Sequence, residues 1–511
     1  MGLRCAAIAY RPGSPATRPC GWVPYMTLDR IRGGPVHRLY SVVVFIVLAS
    51  LDNVAIGIVP PLYKPIGQSL GVGEGTVGLV TAATYLVTAV AAVGWAYFGD
   101  RSDRKPLLMI GTSIWVIGYG GSGLTHSYLT FFALQMVASV GLGAVASVGF
   151  SVVSDLISPR RRGLVMSLWG LSQAIGALIG TLLGSLLGGG GTVAQAHWRR
   201  PFVLLAVLGI VAVLAYLLTY NIRRGQSEPE LAAVFAAGGE YEARIDRGDL
   251  RGILGRRTNV WLILQGLTAQ ATFGSLVWLP TLLRSEAEHR GYPNPIAIAG
   301  VFAVLFQLGG VFSIVGGLVG DRLQRRNPGG RALVASIGIL AGIPFYVVLF
   351  FVPLKVDVAA NANTGQTVVA VLRSIVTEPT VALAFVSALV ALALTSANSP
   401  NWFALLADVN PPEHRGTVYS MGNLVNGVGR AAGNGLVATV FHALERAVSQ
   451  PLNYAAGLAL FQVFFIPTGI MYYLASRTSP RDIDAVRNLL RKRAAHDTPP
   501  ADERSVEAAT P

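Results

Sequence analysis

The chain has 511 residues, of which 52% are hydrophobic and only 13% charged. Soluble globular chains carry roughly 25% charged residues, so a string of soluble domains is excluded. The formal charge of +14 comes from 36 arginines and 4 lysines against 26 acids, and the places of those cations argue for a membrane surface rather than for nucleic acid.

Residues 1–37 read as a disordered N-terminal tail, with no continuous apolar core of signal-peptide length. Met26 is a second candidate start beside Met1. Cys5 and Cys20 both lie in this tail, outside every apolar stretch, so neither a metal site nor a disulfide is expected. Twelve apolar runs follow, near 39–60, 76–99, 107–124, 129–153, 164–188, 200–219, 258–283, 297–320, 331–352, 380–407, 416–441 and 453–476. A membrane-spanning helix needs about 20 mostly apolar residues. The expected fold is therefore an all-α membrane protein of 12 transmembrane helices in two six-helix bundles. The first bundle occupies 38–219 and the second 258–477. A charged cytoplasmic linker, 220–257, joins them, and 478–511 forms a cytoplasmic tail.

The connections after even-numbered runs carry 18 Lys and Arg, and the opposite connections carry eight, Arg284 among them. This is the positive-inside asymmetry. It puts both termini in the cytoplasm of a multi-pass protein of the cell (inner) membrane.

The basic connections also repeat. "GDRSDRK" at 99–105 aligns with "GDRLQRR" at 320–326, so Asp100 meets Asp321, Arg101 meets Arg322, Arg104 meets Arg325, and Lys105 meets Arg326. A second pair, "SDLISPRRRGLVMS" at 154–167 and "ADVNPPEHRGTVYS" at 407–420, aligns Asp155 with Asp408 and Arg162 with Arg415. The second half is longer between its marks, mostly through the connection 353–379. Parallel internal repeats are a usual build for secondary transporters.

With twelve runs, a central linker and both charged marks, the chain resembles the major facilitator superfamily over about 39–477. The resemblance implies that the mark is a conformational latch, with Asp100 and Asp321 holding the neighbouring cations or facing a helix N-terminus; the alternative is a topology anchor at the anionic headgroups only. Ala96 stands where the pattern has its leading Gly, and Asp103 and Gln324 where it has an inner Gly. "LDNVAIGIVPPLYKPIGQSLGVGEGTVGLV" and "SDLISPRRRGLVMSLWGLSQAIGALIGTLLG" further resemble the Spinster-like branch, whose members move lysophospholipids and related amphiphiles. Asp52 matches the acid of that branch's first helix, and Asn53 stands where the branch has Arg. Val137 and Ala144 replace two polar groups of the branch's fourth helix.

Charges deep in a bilayer are costly and mark function. Asp52 is the only acid well inside a run and Arg430 the only base, both roughly 20 Å deep at 1.5 Å per residue. Arg430 is expected to take an anionic headgroup through its planar fork, and Asp52 to carry a proton. A buried carboxyl favours its neutral form and a guanidinium beside it the charged form. Substrate capture by Arg430 would then load the proton. The alternatives are a static salt bridge between the two, or an Arg430 that snorkels to an interface. Asn398, Asn401 and Trp402 flank Pro400, which should break the tenth run and free backbone to line a cavity. With Asn53 and Asn426 they are the polar candidates for substrate contact.

No GxxxxGK[ST] phosphate loop, nucleophile elbow or metal-spaced cluster occurs, and no His lies deep in a run. The expectation is a non-enzyme without cofactor or metal: a monomeric secondary transporter moving an amphiphilic or anionic, lysophospholipid-like molecule with protons. The alternatives are a multidrug or organic-anion exporter, and a scramblase or receptor without coupled transport.

Overall fold

The computed structural model describes residues 35–99, 103–149, 152, 175–189, 193–219 and 247–497. The N-terminal tail to residue 34, most of the linker, Asp100, Arg101, Asp155 and Arg162 lie outside these residues.

The first half contains α1 (Pro35–Ile58), the short α2 (Tyr63–Leu70), α3 (Glu74–Gly99), α4 (Arg104–Ser122), α5 (Tyr128–Ala144), α6 (Ile175–Leu187) and α7 (Arg199–Leu217). After the linker come α8 (Arg247–Gly255), α9 (Arg257–Ser275), α10 (Leu279–His289), α11 (Pro295–Gln307), α12 (Ser313–Arg326) and α13 (Gly330–Phe351). The second half closes with α14 (Thr364–Thr377), α15 (Pro379–Ser396), α16 (Asn398–Asp408), α17 (Pro412–Glu445), α18 (Leu452–Phe461) and α19 (Phe465–Asp497). Among the described residues, nine helical segments are long and apolar enough to cross a membrane. The expected runs 107–124, 164–188 and 416–441 fall on α4, α6 and α17. α6 is described over only part of its run. α17 is diluted by Asn423, Asn426, Arg430 and Asn434.

Two boundaries differ from expectation. The seventh run does not stop at 283, because α10 carries the helix on to His289 and so places Arg284 inside it. α19 continues past 477 to Asp497. Contrary to expectation Pro400 does not break the tenth run: it lies within α16, which follows α15 after the single turn residue Ala397, and 379–408 stays one span.

With no hydrophobic force between helices inside lipid, close backbone approach and polar pairs hold such bundles. α1 and α6 approach so closely that a Cβ on Gly180 would lie 2.2 Å from the Val54 carbonyl oxygen. In the second half Asn259 and Asn410 exchange two amide hydrogen bonds of 2.8 and 2.7 Å, and Thr268 pairs with Thr468 at 2.7 Å.

The halves meet along α3 and α17, and along α6 and α11. The fit there depends on missing methyl groups. A Cβ on Gly78 would lie 2.0 Å from the Trp278 ring, one on Gly300 1.8 Å from Ser185 Oγ, and one on Gly427 2.2 Å from Ala89 Cβ. Rings continue the contact: Tyr63 of the first half packs on Trp278 at 4.7 Å between centroids, and Trp278 on Phe441 at 5.4 Å.

Candidate functional site

Asp52 sits in α1 at 5% exposure, with both carboxylate oxygens buried and without a hydrogen-bond partner. Its neighbour Asn53 faces α6, where a Cβ on Gly176 would lie 3.0 Å from Asn53 Cβ. One turn beyond Asp52, the Tyr119 hydroxyl of α4 donates to the Ala55 carbonyl. Tyr119 lies near Tyr85 of α3.

Arg430 reaches that tyrosine group from the other half. Its guanidinium carbon lies 4.8 Å from the centroid of the Tyr85 ring, and its Nε is buried without a partner. Such cation–π contacts are worth about 0.5–2 kcal/mol, more when dry. The backbone of α17 at Arg430 is pressed against α9, since a Cβ on Gly274 would lie 2.3 Å from the Arg430 carbonyl oxygen. Among the described residues Asp52 and Arg430 form no ion pair with each other, so the static salt bridge weighed from the sequence is absent. Asp52 is unsatisfied at both oxygens on the first half, and on the second the partly exposed Arg430 lacks a partner only at its buried Nε.

The polar candidates near Pro400 are engaged inside the second half. Asn401 Nδ2 donates to the carbonyls of Gly316 (3.1 Å) and Ala397 (2.8 Å), while its Oδ1 is buried without a partner. Trp402 Nε1 donates to the Leu262 carbonyl at 2.9 Å. Asn398 accepts from the Tyr472 hydroxyl. Asn426 packs over Gly266, where a Cβ would meet its Oδ1 at 2.1 Å.

The charged marks differ between the halves. Asp100 and Arg101 lie outside the described residues. Arg104 opens α4 at 7% exposure, and Lys105 donates to the Leu217 carbonyl at 2.8 Å, capping the end of α7. A cation there complements the helix dipole. In the second copy Asp321 is held by Arg331, not by its neighbours Arg322, Arg325 and Arg326. Arg331 Nη2 is 2.7 Å from Asp321 Oδ1, and Nη1 binds Asp408. One guanidinium thus ties together both acidic marks of that half. α12 runs unbroken through Asp321 to Arg326, whereas Asp103, the counterpart of Gln324, is extended backbone just before α4. Arg331, like Arg104 in the first copy, lies in the first turn of the following helix. The sequence offset of 221 had assigned that place to Arg325.

Sequence reading missed a second charged group, which joins the halves near Tyr63 and Trp278. Arg284 of α10 is 3% exposed. Its Nη2 lies 2.5 Å from Glu74 Oε2 of α3, and its Nη1 2.7 Å from Glu288 Oε1. Glu288 Oε2 is 2.5 Å from Lys64 Nζ of α2, and the Tyr454 hydroxyl donates to Glu74 Oε1. Two cations and two anions from both halves form a neutral, hydrogen-bonded bridge. It lies at the end of the helices opposite the basic connections. The signal was present: "RSEAEH" at 284–289 puts Glu288 four residues after Arg284 at helical spacing. The expected loop hid it.

Comparison with known proteins agrees with this architecture. The chain is 25% identical to Protein spinster homolog 3 of Danio rerio over 292 residues, covering 54% of this chain and 56% of that one. It is 24% identical to the sphingosine-1-phosphate transporter SPNS2 of Danio rerio over 310 residues, covering 58% and 59%. The chain thus spans somewhat over half the length of these relatives. A crystal structure of a bacterial homolog of the human lysosomal transporter Spinster, inward-facing and unoccupied, superposes with a TM-score of 0.68 at 18% identity, over 88% of this chain and 99% of that one. The Major Facilitator Superfamily pattern matches residues 44–434, most of both bundles and the linker between them, and the chain belongs to that superfamily.

Proposed function

We propose that this chain is a secondary transporter working by alternating access, coupled to protons, that moves an amphiphile with an anionic headgroup. The observations that carry the reading are the buried Asp52 carboxyl without a partner and, on the opposite half, the partly exposed Arg430 over the Tyr85 ring with its Nε unsatisfied. Unsatisfied buried charge is expensive and is retained where a ligand completes it. Arg430 receives the phosphate or carboxylate of the substrate, Tyr85 covers it, and Asp52 takes the proton. Sphingosine-1-phosphate, named for the SPNS2 relatives, has this chemistry, a cationic amine on its long chain aside. Asn53, Asn398, Asn401, Trp402 and Asn426 shape the helix contacts around the path. The charged marks control the basic end, and the bridge at Arg284 controls the other. The protein works as a monomer in the inner membrane, with both termini cytoplasmic.

The test is flux of a labelled lysophospholipid into vesicles carrying the purified protein, with and without a pH gradient. Gradient-dependent uptake supports the reading. Absence of uptake by correctly oriented protein would end the lysolipid assignment and turn attention to small organic anions.

A further inference from the structure

The connection between α13 and α15 contains a helix that crosses nothing. α14 has 14 residues, about 21 Å at 1.5 Å per residue, short of the roughly 30 Å hydrocarbon core. It is nonetheless firmly built. Asn363 and Gln366 close a reciprocal cap with two bonds of 2.9 Å. Pro379 at the start of α15 enforces the corner at its other end. Asn294, just before α11, donates to Thr367 Oγ1 at 3.0 Å and to the Ala362 carbonyl at 2.8 Å.

The helix has three sectors. Thr367, Val371 and Ser374 are buried, on a helix that packs against α11 and α15. The exposed remainder is sorted by chemistry. Val369, Leu372 and Val376, which are 65%, 45% and 89% exposed, fall within about 60° of one another at 100° per residue. Arg373, Gln366 and Thr377 occupy the adjoining sector of about 40°. A helix wholly in water gains nothing from holding three large apolar side chains exposed together. A helix lying in a bilayer surface needs this division, with one sector at the acyl boundary and its neighbour among headgroups. Past the corner, Leu383 and Val386 of α15, both more than half exposed, continue the apolar surface onto a membrane span.

We infer that α14 is an interfacial helix seated in the bilayer surface on the side opposite the basic connections. Val369, Leu372 and Val376 enter the acyl boundary, and Arg373 lies at the level of lipid phosphates. The occupant of the exposed face is the lipid surface. Through Asn294 the anchor fixes the depth of α11, which meets α6 where Gly300 faces Ser185.

The test uses full-length protein with Cys5 and Cys20 replaced by Ser, and single cysteines placed at Val369, Leu372, Val376, Gln366 and Thr377. Each carries a nitroxide, in phosphatidylcholine–phosphatidylglycerol vesicles, and its collision rates with oxygen and with a water-soluble nickel chelate are compared. The oxygen-to-nickel ratio should be several-fold higher at Val369, Leu372 and Val376 than at Gln366 and Thr377. Equal nickel access at all five positions would place the stripe in water and overturn the inference. So would spin–spin broadening at Val376→Cys that disappears on dilution with unlabelled protein, which would mean a second copy covers the face. Five independent positions keep the result readable if one variant fails to fold.

Discussion

Arg284 and Glu74 belong to opposite halves of the molecule and meet at 2.5 Å with the guanidinium almost fully buried. Breaking a buried pair from one side costs about 3–5 kcal/mol, because the remaining charge is stranded. Arg284→Ala leaves Glu74 and Glu288 facing each other, with only Lys64 and Tyr454 beside them. It should shift the halves apart at that end, read as faster thiol labelling of a cysteine placed at Gly75. Glu74→Gln should do less, since its amide oxygen can still accept from Arg284 while its NH2 donates to the Tyr454 hydroxyl oxygen. Unchanged labelling in Arg284→Ala would show that the bridge does not hold the end closed.

Asp52 has no partner to lose. Asp52→Asn keeps the size of the side chain and removes its charge without breaking any bond, so it should leave the melting temperature in detergent unchanged or raised rather than lowered. The same change should remove stimulation of flux by a pH gradient while leaving exchange across the membrane. A variant that is both more stable and still gradient-driven would remove Asp52 from coupling.

Arg430 offers a cleaner separation. Arg430→Lys keeps the charge but loses the planar fork and part of the stacking on Tyr85. Affinity for an anionic amphiphile should fall about tenfold in Arg430→Lys and further in Arg430→Ala, following the roughly 1.4 kcal/mol that each tenfold step represents. Equilibrium binding of the labelled lipid measures this directly. Equal affinity in all three proteins would place the headgroup elsewhere.

The second charged mark makes a contrast within a few residues. Arg331→Ala should cost about 1–2 kcal/mol, discounted because Asp321 is half-exposed and screened, and should slow transport. Arg325→Ala, exposed at the end of α12, should leave thermal stability within about 0.5 kcal/mol of the parent. Thermal shift and flux on the two variants decide which arginine carries the mark.

The sequence was most informative where composition alone settles the structure. Apolar length gave the spans, and the charged repeats gave the two halves. Asp52 and Arg430 were found because a lone charge in a run is conspicuous. Arg284 was not, because it follows the apolar stretch directly and reads as a loop cation. Only the helix continuing to His289 turns it inward. Arg331 was missed for a related reason. An ungapped offset cannot register that α12 is still helical at Gln324, where its counterpart Asp103 is extended. The roles of Asn401 and Trp402 could not be read at all, since a polar residue beside a helix break looks the same whether it bonds to a carbonyl or faces a cavity.

The contact between the halves is defined by atoms that are absent. At Gly78, Gly300 and Gly427 one added methyl would collide with the opposing half at 2.2 Å or less, while each helix itself would accept alanine readily. Tolerance at these positions is therefore state-selective: alanine leaves each bundle intact and penalises only the arrangement in which the bundles touch. Single alanine replacements there become wedges, which on the proposed alternating-access cycle would favour the state in which the halves part at these contacts.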